Sequence, residues 1–121
     1  MALAFDITSL DFQQARIKQV LFKSRLRSVL YGVREADPAL LARSENPLGQ
    51  WLDAVVKPKY GARSEVAQLE TALQQQLDTG RDLLRLYQRG QIEAARAGLE
   101  QLDAHAARID ALLHELERAV V

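Results

Sequence analysis

The chain has 121 residues, as many basic as acidic side chains, and no cysteine. That length supports one domain with a real core. Zero net charge removes the polyelectrolyte argument for nucleic acid or an anionic membrane, and the missing thiol removes disulfides, thiolate catalysis, thiol redox switching and cysteine-ligated metal. No apolar run is long enough to span a bilayer. The first residues lack the basic flank and apolar core of a signal peptide, so the expected compartment is the cytoplasm.

The prolines Pro38, Pro47 and Pro58 all sit in the middle of the chain, and residues 10–31 and 62–121 are proline-free and helix-periodic. The pattern predicts an all-α, four-helix-bundle-like fold. Three long helices, with short helices in the middle segment, form a single domain over residues 1–121.

The first helix is expected to start near Thr8 or Ser9, either of which can cap it, with Asp11 in the first turn. Its inward row reads Phe12, Ala15, Gln19, Phe22, Leu26 and Val29, and Gly32 is a natural stop. Gln19 breaks an otherwise apolar row. Arg16, Lys23, Arg27 and Arg34 fall on a different face. A solvated face explains that basic row most simply. The sharper reading makes it a docking surface for an acidic partner.

In the middle, Asn46 before Pro47 is a strong helix start, because Asn caps and Pro suits the first helical position. Trp51, the only tryptophan, anchors that short helix with Leu52, Val55 and Val56 after it. Residues 57–61, Lys-Pro-Lys-Tyr-Gly, read as a loop.

The next long helix is expected from about Ser64, with Ser64 as cap and an inward row of Val66, Leu69, Leu73, Leu77, Gly80, Leu84 and Tyr87. Gln74, Gln75 and Gln76 read as a solvated flank. After a break at Arg89-Gly90-Gln91, one final antiparallel helix carries Ile92, Ala95, Leu99, Leu102, Ala106, Ile109, Leu113, Leu116 and Val120 at alternating spacings of three and four. Beside that row, Ala94, Gly98 and Leu112 form a candidate second contact face.

Chemistry is sparse. His105 and His114 lie nine positions apart on one expected helix, which puts them on nearly opposite sides. No phosphate loop, nucleophile elbow or metalloprotease helix is present. Glu70, Asp78, Asp82, Glu100, Asp103 and Asp110 fall at exposed positions. The chain does not read as an enzyme.

An ordered set of landmarks points to a family. Leu10-Asp11-Phe12 with Ala15, Phe22-Lys23-Ser24-Arg25-Leu26-Arg27 to Leu30-Tyr31-Gly32, Leu48-Gly49-Gln50-Trp51-Leu52, Tyr60-Gly61, Leu69-Glu70, Gly90 with Ala94-Ala95, and Leu112-Leu113 resemble the bacterial chemoreceptor zinc-binding domains over almost the whole chain. That family is a helical bundle whose zinc is held by three histidines and one cysteine. Carried onto this chain residue by residue, the ligand positions are Gln19, Asn46, Leu73 and Leu77. Leucine offers no donor, and neutral amides suit zinc poorly. The resemblance therefore implies a degenerate member without metal or cofactor, with its old site turned into ordinary core, and Phe22 and Trp51 are expected as structural anchors. It also implies that Gln19 and Asn46 lie together beside Leu73 and Leu77.

Family members are attached to, and regulate, chemoreceptors or diguanylate cyclases. The expected role here is a stand-alone interaction module, a homodimer or the partner of a bacterial chemoreceptor, cyclase or kinase, with no membrane insertion. Two other classes compete. One is a small-molecule sensor with a pocket at the former zinc site. The other is a nucleic-acid or membrane-surface binder using the basic row.

Overall fold

A computed structural model describes residues 7–121 of the chain. It is an all-α bundle, with no strand among the described residues. Helix α1 spans Ser9–Leu30. Two 3-10 turns, Pro38–Leu41 and Arg43–Glu45, lead into α2, Pro47–Trp51. A π-helical turn, Leu52–Val56, joins α2 to α3, Lys57–Tyr60. Helix α4 spans Ser64–Gln88, α5 Ile92–Ala97 and α6 Leu99–Val120.

The starts and stops follow local chemistry. Thr8 caps α1 in a reciprocal box: its amide donates to the Asp11 carboxylate at 2.8 Å, and the Asp11 amide donates back to Thr8 Oγ1 at 3.4 Å. The chain leaves α1 through Gly32 and leaves α4 through Gly90, with φ of 74° and 83°. Only glycine takes that left-handed region without penalty. Arg63, not Ser64, is the N-terminal flanking residue of α4, and it makes no side-chain cap.

Side-chain pairs set the directions. Arg16 meets Glu117 and Lys23 meets Asp103, so α1 runs antiparallel to α6. Gln68 meets Arg108 and Thr79 meets His105, so α4 is antiparallel to α6 as well. α1 and α4 are therefore parallel, and the middle segment carries the chain back between them. One apolar core runs from Ile7 to Leu116 through Phe12, Leu26, Leu48, Leu52, Leu69, Leu77, Leu102 and Ile109. Trp51 is buried and meets the edge of Phe12, with centroids 5.3 Å apart and planes at 80°.

Three expectations fail here. Residues 57–60 are helical, not a loop. Pro58 sits in the first turn of α3, where its missing N–H matters least, and the π turn just ahead widens the helix where the ring would crowd a carbonyl. The single final helix is split, with Gly98 between α5 and α6. A Cβ at Gly98 would run into the Leu83 side chain, so glycine serves close approach of α4 to that corner. The second contact face expected on this helix is mostly core: Leu112 is fully buried, Gly98 is half-buried, and only Ala94 is exposed.

Candidate functional site

The four positions carried over from the zinc-binding family hold a pair of leucines and two amides with different hydrogen-bond partners. Leu73 and Leu77 are fully buried on α4. Gln19 is buried on α1, and its Nε2 donates to Oε1 of Gln76, whose own Nε2 donates back to Gln19 Oε1 at 3.3 Å. Two amides that exchange both bonds satisfy each other inside an apolar core, where a lone amide would cost about 1–3 kcal/mol. Gln76 is fully buried, so it belongs to the core row and not to a solvated flank.

Asn46 is also buried, but its Oδ1 accepts the Gly49 amide at 2.9 Å and caps α2. Gln19 and Asn46 share no hydrogen bond: Gln76 answers Gln19, and the Gly49 amide answers the Asn46 oxygen. No buried side-chain nitrogen or oxygen among the described residues lacks a partner. Among those residues, no three His, Cys, Asp or Glu side chains gather into a metal-holding group. His105 shares a hydrogen bond with the Thr79 hydroxyl at 3.1 Å, and exposed His114 lies 3.5 Å from Asp110.

A second polar cluster fastens the middle segment to α4. Arg43 binds Glu70 in bidentate fashion, Nε at 2.8 Å and Nη2 at 2.6 Å, and also reaches Asp53 at 2.9 Å. Lys57 donates to Glu70 at 2.6 Å and lies 3.1 Å from Asp53. The Arg43 hydrogen bonds, then those of Lys57, outweigh partial burial and hold the Glu70 carboxyl at about 2. The Asp53 carboxyl is pulled down first by Arg43 and then by Lys57, and the Arg43 and Lys57 cations are strengthened chiefly by Glu70. Glu70 is therefore not the exposed acid expected of it. Gly49 leaves room for the guanidinium, since a Cβ there would collide with Arg43. The four charges pair with one another.

The basic row Arg16, Lys23, Arg27 and Arg34 is divided among different neighbours. Arg16 pairs with Glu117 at 2.9 Å and Lys23 with Asp103 at 3.0 Å, both against α6. Arg16 is also the main reason the Glu117 carboxyl titrates below its ordinary range. Arg27 lies over the Tyr31 ring at 5.2 Å, and Arg96 covers the same ring at 4.3 Å while its Nε donates to the Leu30 carbonyl. Only Arg34 stands clear of these contacts. It lines a groove of about 230 Å³ between α1 and the segment 35–47, together with Lys18, Arg25, Glu35, Asp37 and Glu45. Phe22, half the expected Phe22–Trp51 anchor, is buried and forms part of that groove's floor with Val29 and Leu40.

Among its polar residues, the solvent-facing side of α1, with its C-terminal flanking residue Tyr31, also carries an apolar row. Leu10, Ile17, Val20, Leu21 and Tyr31 are 59%, 52%, 64%, 49% and 45% exposed, against values of 5% or less for the inward row. α1 thus carries a second apolar row, set among exposed Gln13, Gln14, Ser24 and Arg25, and that row stays largely exposed among the described residues. Two signals were present in the sequence. Leu10, Ile17 and Tyr31 fall on a seven-residue repeat, with Ser24 in the remaining place. Val66, Leu69, Leu73, Gln76, Gly80 and Leu83 alternate three and four without a slip, a row that admits Gln76 and Leu83 in place of Leu84 and Tyr87.

Comparison with protein-family models, characterised proteins and solved structures finds no match to this chain.

Proposed function

We propose that this chain is a non-enzymatic interaction module, related to the bacterial chemoreceptor zinc-binding domains but working without zinc. It acts by associating with itself or with a cytoplasmic signalling protein of the chemoreceptor, diguanylate cyclase or kinase type. The observation that carries the reading is the pairing of a closed interior with an open face. The four family ligand positions hold two buried leucines and two amides that already have partners. Such a site has neither the charge nor the soft donors that hold zinc. The apolar outer row of α1, in contrast, stays largely exposed among the described residues, at Leu10, Ile17, Val20 and Leu21 above all.

Two measurements test the reading. Elemental analysis of protein purified without chelator is expected to return far less than one zinc per chain, and chelator is expected to leave the melting temperature unchanged. A stoichiometric zinc overturns the metal-free part. Deleting the coding segment in its source organism is expected to alter swimming bias or cyclic dinucleotide level. No change in either overturns the signalling part.

A further inference from the structure

We infer that the outer face of α1 is the seat of a second copy of this chain, in an isologous dimer centred on Ile17, Val20 and Leu21. The inference rests on the reading of the chain as an interaction module and names the partner that the open face fits.

The face combines three properties. First, it is a ridge with grooves on both sides. One groove is the 230 Å³ channel against segment 35–47, and the other, between α1 and the start of α6, is lined by Val20, Lys23, Leu99 and Asp103. A convex helix beside a groove is complementary to its own copy, because each ridge can enter the other's groove. Second, the size is right. From Leu10 to Tyr31 the row runs about 32 Å at about 1.5 Å per residue. With a bordering half-helix on each side the strip is about 20 Å wide and covers roughly 600 Å² per partner, at the lower end of what specific interfaces bury.

Third, the charge around the ridge is mixed. Lys18, Arg25, Arg34, Glu35 and Glu45 line the same groove, and none of the five makes an ion pair with another described residue. Three cations beside two free acids fit a surface that itself carries both signs. An anionic bilayer or a nucleic acid backbone would meet the acids with repulsion. A second copy supplies both signs by identity, and a chain of zero net charge has no long-range repulsion against itself. Two copies would also bury the apolar row of α1 that is exposed among the described residues.

Light scattering after size exclusion, at about 10 to 200 µM, reads the outcome. The wild type is expected at about twice the 13.6 kDa of one chain. The double variant Val20→Glu/Leu21→Glu is expected at the mass of one chain, with its helical circular dichroism retained, because both side chains are largely solvent-exposed in the single copy. Ile17→Lys provides an independent variant on the same ridge and is expected to weaken the dimer at least tenfold. A wild type that stays monomeric to 200 µM overturns the inference and self-association with it. A dimer that survives all three substitutions overturns the α1 face and leaves self-association standing. A monomer that floats with phosphatidylcholine–phosphatidylglycerol vesicles, and loses this in the variants, gives the face to lipid and likewise overturns the inference.

Discussion

Replacing Gln76 with Leu is the sharpest single perturbation of the interior. Gln76 is fully buried and Gln19 has 5% exposure, so Gln76→Leu leaves the Gln19 amide with neither of its two mutual bonds and no water to replace them. The cost of such an orphan is about 1–3 kcal/mol, partly offset by the apolar surface that leucine adds. Unfolding entropy near 2.1 cal/mol/K per residue means that each kcal/mol moves the melting temperature of a chain this long by about 4 °C. The single variant is therefore expected to melt about 4–12 °C lower, and Gln19→Leu should cost about the same. Gln19→Leu/Gln76→Leu removes both orphans and is expected to return to within about 1 kcal/mol of wild type or to exceed it. Urea titrations of the four proteins, read as a double-mutant cycle, give the coupling directly. Additive losses in the double variant would refute the mutual pairing.

The remaining expectations concern the edges of the fold. The Glu70 carboxyl, held at about 2 against an ordinary 4.5, binds its proton less readily when folded, so its contribution is complete above about pH 4.5 and is lost as pH falls toward 2. Chemical denaturation from pH 7 to 2.5 is expected to show that loss, and Glu70→Gln should flatten it; an unchanged slope would count against the network. Asn46→Ala removes the α2 cap and is expected to cost about 1 kcal/mol. Since Asn46 and Gln19 share no bond, that cost should add to Gln19→Leu without coupling. Gly90→Ala meets open space but keeps φ at 83°, so about 1 kcal/mol of destabilisation is expected, with Gly90→Asn milder; equal stability of all three proteins would argue against that backbone.

Much of the fold was legible because periodicity and capping speak in local terms. The inward row of α1, the Thr8 and Asn46 caps, the burial of Trp51 and the long row of α6 are consequences of spacing and of one or two residues each. What escaped depends on partners distant in sequence. Gln76 was set aside as polar, although its spacing from Leu73 and Gly80 put it in the row; its burial depends on Gln19, 57 residues away. Glu70 looked solvent-facing because Arg43 and Lys57 arrive from another part of the chain. Residues 57–61 look like a loop because proline and glycine punctuate them, and a π turn that accommodates Pro58 leaves no signature in hydrophobic pattern. The closeness expected of Gln19 and Asn46 rests on the family resemblance and not on these residues' own spacing, and their side-chain oxygens accept from Gln76 and Gly49.

The interior pair and the open face bear on the same helix. α1 carries two apolar rows, so hydrophobicity alone does not decide which one faces the core. The inner row wins through features the outer one lacks. It carries the two aromatic side chains Phe12 and Phe22. Its flanks place Arg16 and Lys23 within reach of Glu117 and Asp103 on α6. Its one polar member, Gln19, meets its counterpart Gln76 across the core. Turning α1 to bury Ile17, Val20 and Leu21 would break both ion pairs and strand two amides. A glutamine that interrupts the hydrophobic pattern thus opposes that rotation, and the outer row of α1 remains on the surface, where another chain can use it.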